Sequence, residues 1–275
     1  MIVSGEFRAV SESLQGLASG CVGLYMNKLS SIAFTSLLFT AACGDIVQTD
    51  EPADLDDGAS LGSAVVIDTD PVQPKIIAAS CAELRAQDPA AEDADYTLYV
   101  GGDEAKPFTA WCQDMATTPL EYLRLENVMG NSNFAQYTAG GASSGDDVRT
   151  YYFYLRIDPA TLVVNTSDQR FAMSDGTLSH SGGGPVTSMP YGVAMGCGSV
   201  ASKGLANIDL RGTHFAVNDT FRFVGSASFG VIAADAAMTT IDIEGGGFCG
   251  WMAPANTAFD PMNTAGGSLQ LAYLQ

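Results

Sequence analysis

The chain has 275 residues, 47% of them hydrophobic and 16% charged, and its 12 basic against 31 acidic residues leave a net charge of −19. That apolar fraction is ample for a packed core and excludes a wholly disordered chain. So acidic a balance excludes phosphate-led binding of nucleic acid and adhesion to anionic lipid through a basic patch, and 30 glycines with few lysines point to a loop-rich β protein rather than a helical bundle.

Near the N-terminus, Met26-Asn-Lys28 precedes an apolar run from Ile32 to Phe39, which is followed by Thr40-Ala41-Ala42-Cys43. One cation, a short apolar stretch and small residues form the layout of an export signal. The run falls far short of the ~20 residues that a spanning helix needs. Its end resembles a bacterial lipobox, with Thr40 standing where leucine is usual. This predicts Cys43 as a lipidated mature N-terminus and a membrane attachment through that lipid. Residues 1–25 carry Glu6 and Glu12 and make a poor positive n-region. Met26 is therefore expected as the start, with 1–25 an upstream over-extension and 26–42 the signal peptide. An ordinary cleaved signal, with Cys43 incidental and the product secreted, is the alternative.

Residues 43–74 change character. Asp45, Asp50, Glu51, Asp54, Asp56, Asp57, Asp68 and Asp70 lie there without a Lys or Arg before Lys75, and Pro52, Pro71 and Pro74 interrupt any regular element. Like charges and prolines predict an extended, disordered tether. Asp54-Leu-Asp56-Asp57-Gly58 lacks the spacing and closing glutamate of a calcium loop.

The folded part is expected over 75–275. Ser80-Cys-Ala-Glu83 fits a capping box and opens a short helix that Pro89 stops. The period then becomes two. Tyr96–Val100 and Phe108–Cys112 form an expected hairpin with a four- to six-residue loop. Further strands are expected at Glu121–Leu125, Tyr151–Ile157, Leu162–Val164, Ile208–Leu210, Thr220–Val224, Thr239–Ile243 and Leu269–Leu274, parted by Gly-rich loops at 140–145, 182–184 and 245–247. The expected fold is mainly β (α+β): antiparallel strands with one or two short helices in a single disulfide-stabilised domain.

Six cysteines divide by context. Cys21 lies in the over-extension and Cys43 is the lipid site. Cys81, Cys112, Cys197 and Cys249 remain, an even number in an exported domain, which predicts two disulfides. Four cysteines allow three pairings; the helix–hairpin order favours Cys81–Cys112, leaving Cys197–Cys249. Bridges over such spans stabilise by roughly 4 kcal/mol each in the chain-entropy model. Zinc is the rival use, but no Cys-x-x-Cys occurs, and His180 and His214 are not at ligand spacing.

Catalytic patterns fail one by one. Gly141-Ala-Ser143-Ser-Gly145 matches G-x-S-x-G, yet a strand rather than a helix is expected after it, so the strained elbow that activates such a serine is missing. Gly196-Cys-Gly198-Ser-Val-Ala201 imitates a dinucleotide fingerprint without a βαβ setting. Carboxylate pairs of the kind that cleave glycosides are too easily found in so acidic a chain to be informative. H-E-x-x-H does not occur. His180 is assigned to a loop and His214 to a strand end. The aromatics Trp111, Tyr151, Tyr152, Tyr191 and Trp251 are candidates for a binding surface, although their positions on period-two strands favour the core.

Several segments carry a resemblance. Ser80-Cys-Ala-Glu-Leu-Arg, Asp95-Tyr-Thr-Leu-Tyr-Val-Gly-Gly, Pro107-Phe-Thr-Ala-Trp-Cys-Gln-Asp-Met115 and Pro119-Leu-Glu-Tyr-Leu-Arg-Leu resemble the opening of a GON domain. So do Arg156-Ile-Asp-Pro-Ala-Thr-Leu, Arg170-Phe-Ala, Pro190-Tyr-Gly-Val-Ala-Met-Gly-Cys197, Ala206-Asn-Ile-Asp-Leu-Arg-Gly-Thr and Gly246-Gly-Phe-Cys-Gly250. The likeness spans residues 79–275. GON domains end some secreted metalloproteases of the ADAM-with-thrombospondin-repeat group and also stand alone in bacterial surface proteins. Cys81 to Met115 further resembles the start of fibrinogen-type recognition domains, which supports Cys81–Cys112. The animal version has about ten cysteines rather than four. The resemblance implies no catalytic residues and no cofactor; zinc enters only through the parent proteases, and calcium stays open. It implies an exported, non-catalytic module of the bacterial envelope or surface that binds an extracellular protein or glycan. The alternative is a hydrolase, a metallopeptidase role being implied by family association alone.

Overall fold

A computed structural model describes residues 75–139, 147–180, 184–258 and 267–275. Cys21, Cys43, the segments expected as over-extension, signal peptide and tether, and Ser143 lie outside the described residues.

The first element is α1, Cys81–Gln87. The Ser80 side chain accepts from the Glu83 amide at 3.1 Å, while Glu83 reaches back to the amide of Ala79, one residue earlier than a standard capping box. Eighteen strands follow among the described residues: β1 Ala94–Tyr99, β2 Pro107–Gln113, β3 Leu120–Arg124, β4 Phe134–Thr138, β5 Asp147–Tyr152, β6 Tyr154–Asp158, β7 Val163–Asn165, β8 Ala172–Asp175 and β9 Leu178–His180. The remainder are β10 Gly184–Val186, β11 Ala194–Cys197, β12 Lys203–Asp209, β13 Phe215–Val217, β14 Phe221–Ser226, β15 Phe229–Ala234, β16 Thr240–Gly246, β17 Cys249–Pro254 and β18 Ser268–Tyr273. The domain is mainly β, and no helix among the described residues is long and apolar enough to cross a membrane.

One sheet has seven strands in the order β1-β2-β3-β6-β7-β18-β13. A second has nine, β14-β17-β11-β4-β12-β16-β15 with β5 and β8 branching from β4, and β9 and β10 pair as a separate two-stranded sheet. The expected strand Tyr151–Ile157 is broken at Phe153, and its two halves enter different sheets. There Phe153 gives its amide to Phe171 and its carbonyl to Leu125, both outside the regular ladders, so the backbone turns without losing a hydrogen bond.

β4 organises the larger sheet. One edge carries β5 along its whole length. The other is divided: Phe134 and Ala135 pair with β12, and Gln136 to Thr138 pair with β11 in parallel, an exception to the antiparallel expectation. Beyond this fork β12 and β16 lie against β11 and β17. A Cβ on Gly204 would sit 2.3 Å from the Met195 carbonyl oxygen, and one on Gly245 would sit 2.4 Å from the Met252 nitrogen. Glycine is required at both, and of the loop expected at 245–247 Gly245 and Gly246 instead end β16 while Gly247 stays outside it.

The seven- and nine-stranded sheets share one core, with Leu98, Phe108 and Leu155 from the former meeting Tyr152, Ile208 and Ile243 from the latter. A second cluster forms around Tyr137, Met195 and Trp251, with Leu178 and Val186 of the β9–β10 hairpin packed into it. Cys81 is bonded to Cys112 and Cys197 to Cys249.

Candidate functional site

A cleft lies on the seven-stranded sheet. It measures about 570 Å³ and is lined by residues of β3, β6, β7 and the start of β18, with Glu121, Arg156, Asp158, Thr161, Asn165 and Ser268 as its polar residues and Ile157 and Val164 among its apolar ones. Glu121 is set by two neighbours. It stands opposite Cys112 across the β2–β3 ladder, and its Oε1 accepts the Cys81 amide, the first of α1, at 2.8 Å. Burial pushes its carboxyl above the ordinary carboxylate range, although the Cys81 amide opposes the shift. Burial also raises Asp158, but hydrogen bonds from Thr161 and the amide of Ala160 outweigh it and hold that carboxyl below its usual value. Arg156 reaches Asp168 at 3.7 Å, and Asp168 accepts the Tyr122 hydroxyl at 3.1 Å. Burial and the Asp168 charge push that phenol up to about 12, so it stays a hydrogen-bond donor at physiological pH.

The cleft therefore combines a half-exposed cation with two carboxylates whose protonation is pushed in opposite directions, set among apolar side chains. Such a surface can orient hydroxyl or amide groups through hydrogen bonds while packing a ligand's apolar face. Arg156-Ile-Asp158 and Glu121 stood inside segments that the sequence singled out, yet nothing in the sequence marked them as neighbours. They line one cleft because β3 and β6 are antiparallel neighbours in the sheet, Tyr122 standing opposite Arg156.

Other singled-out segments meet elsewhere. Asn133 is fully buried and makes every bond its side chain allows: its amide donates to the carbonyls of Asn127 and Asp209, each at 2.7 Å, and its oxygen accepts the Tyr191 hydroxyl at 2.5 Å and the Asp209 amide at 2.9 Å. The Asn207 side-chain oxygen accepts the Asn133 backbone N–H at 3.0 Å, and Arg211 holds the Asp209 carboxylate. Tyr191, Asn207, Asp209 and Arg211 belong to the Pro190 and Ala206 motifs. Those motifs thus build a hydrogen-bonded brace centred on the buried Asn133 and Asp209.

Of the five aromatic candidates, Tyr152, Tyr191 and Trp251 are buried, and only Trp111 and Tyr151 are half-exposed. His214 is exposed and stacks on Tyr273 at 5.7 Å. His180, expected in a loop, ends β9 and is half-buried. Its Nδ1 lies 3.1 Å from the Tyr137 hydroxyl and 4.0 Å from Cys197 Sγ, and with Cys249 it forms a group whose ligand atoms all lie within 4.8 Å of one another.

Residues 141–260 match the family model of the GON domain. The match begins after β4, so the opening segments at 80–125 lie outside it, while the Pro190, Ala206 and Gly246 segments lie within it. Comparison with curated proteins and with solved structures gives no match.

Proposed function

We propose that this chain is an exported, non-catalytic binding module, attached to the bacterial envelope through a lipid on Cys43, that holds an extracellular glycan or protein segment in the cleft around Arg156. The cleft itself carries the reading: about 570 Å³ of open, mixed polar and apolar surface presented by four strands of a rigid sheet. Two disulfides support an oxidising compartment, and the GON-domain match supports an extracellular type of module.

The test uses the full chain and its Arg156→Ala and Asp158→Ala variants on a glycan array and on immobilised matrix proteins. Binding by the wild type that both variants lose by tenfold or more, with unchanged melting, supports the reading. Binding that survives both changes overturns the site. Release of reducing sugar or peptide fragments by pure wild-type protein, abolished in Glu121→Gln, would establish the hydrolase alternative instead. Attachment has its own check: an alkyne fatty acid fed to expressing cells should label the wild type and not Cys43→Ala, and equal labelling removes the anchor.

A further inference from the structure

The two disulfides do different work. Cys81–Cys112 ties α1 to β2, and both residues are fully buried. Cys197 and Cys249 are instead direct partners in the β11–β17 ladder, whose four registered pairs already hold the two strands together. With the ladder still in place, the strands stay paired when this bond opens. It is also the accessible one: Cys249 is half-buried, and its neighbour Phe248 is 54% exposed.

We propose that His180, Cys197 and Cys249 form a redox-gated site for a soft divalent metal, closed while the disulfide is intact and opened by an external dithiol. In the opening step a reductant thiolate attacks Cys249 Sγ, the more accessible sulfur, and the S–S electron pair leaves on Cys197 as a thiolate. The reductant's second thiolate then attacks its own sulfur in the mixed disulfide, releasing the Cys249 thiolate. The dithiol ends as a disulfide, and its two protons appear on the protein thiols or in solvent. Zn²⁺ then takes both thiolates and His180 Nδ1, releasing any proton still on the sulfurs.

The geometry suits this. Zinc binds sulfur at about 2.3 Å and imidazole at about 2.0–2.1 Å, which in a tetrahedron places neighbouring ligand atoms roughly 3.5–3.8 Å apart. The Nδ1–Cys197 distance of 4.0 Å is within a small side-chain adjustment of that. Tyr137 is buried, and its hydroxyl at 3.1 Å fixes the imidazole toward the sulfurs; the metal replaces that hydrogen bond, and the fourth position goes to water. The ladder beneath and the β9–β10 hairpin hold all three ligands on regular strands.

Cobalt is the test probe, because a cobalt–thiolate bond gives an intense charge-transfer band. The full chain, treated with dithiothreitol without denaturant and freed of it, should bind one Co²⁺ with that band and lose it to Zn²⁺. The unreduced chain should show none. Cys197→Ser/Cys249→Ser, which keeps every other cysteine, should lose the band; Cys81→Ser/Cys112→Ser should keep it. His180→Ala should weaken binding by tenfold or more. Mass-spectrometric alkylation of the reduced chain should show zinc protecting Cys197 and Cys249. A reduced chain without the band, a band unchanged in His180→Ala, protection at other cysteines, or loss of the β-sheet circular-dichroism signal on reduction would each overturn the proposal.

Discussion

Asn133 shows what one side chain can decide. It is 0% exposed, and its backbone φ of 51° lies in the left-handed region, which asparagine tolerates better than most residues. Asn133→Ala would strand the Tyr191 hydroxyl, the Asp209 amide and two carbonyls in the core. With each buried unsatisfied group costing about 1–3 kcal/mol, the expected loss is at least roughly 3 kcal/mol, measurable by urea unfolding. A loss below 1 kcal/mol would mean that water replaces the side chain. Glu121 gives a second test, this time against pH. Its folded pKa is raised, so the folded state binds the proton more tightly than the unfolded chain does. That contribution is fully present below the unfolded value of 4.5 and is lost as pH rises through the folded value. Glu121→Gln keeps an acceptor for the Cys81 amide but carries no charge. It should match the wild type in acid and become relatively more stable as pH rises toward neutrality. Melting curves at several pH values check this, and a gap that widens in acid would contradict it.

At the scale of elements, the α1 segment and the β4 fork have different weak points. α1 has a cap and a bridge. Ser80→Ala should cost about 1 kcal/mol, whereas replacing Cys81 and Cys112 by alanine should cost about 2–5 kcal/mol; equal losses would show that the bridge adds nothing beyond the cap. In the fork the limit is space. Gly204→Ala would place a methyl 2.3 Å from one backbone oxygen and 2.7 Å from another. Backbone cannot rotate away as a side chain can, so the strands must part. The expected loss is at least about 2 kcal/mol. Gly101→Ala is the contrast: nothing lies within 4 Å of its Cβ, and its φ of +63° leaves only local strain.

For the whole molecule, stability in the oxidised state rests on the shared core and two bridges and should be independent of metal. The unreduced full chain is expected to melt at one temperature with or without a strong chelator, and counting of free thiols should find none among Cys81, Cys112, Cys197 and Cys249. A fall of more than a few degrees in chelator would place a structural ion in the native fold. The same chelator experiment after mild reduction is where a difference is expected, because only then are Cys197 and Cys249 available as ligands.

Local chemistry made much of this legible in advance. Ser80, Glu83 and Pro89 bound α1 because caps and helix stops act within a few residues. β1, β2, β3, β7, β14, β16 and β18 stand close to their expected places, and in β2, β7, β16 and β18 buried and less buried residues alternate over most of the strand, as a strand that buries a single face requires. β4 and β11 escaped because both sides of these strands are covered: all five residues of β4 and all four of β11 are buried, so no period of two appears. Only tertiary structure decided that Phe153 splits one apolar run between two sheets. Only the close approach of two layers turned Gly245 from a loop residue into part of a strand. The cleft and the His180 cluster belong to the same class. Glu121 with Arg156, and His180 with Cys197 and Cys249, come together through strand pairing and layer packing, and those depend on the burial of side chains far away in sequence. Sequence by itself determined the elements with local signals, the acidic charge and the four cysteines of the domain; which distant groups face one another was settled by the sheets, because burial is a property of the whole fold.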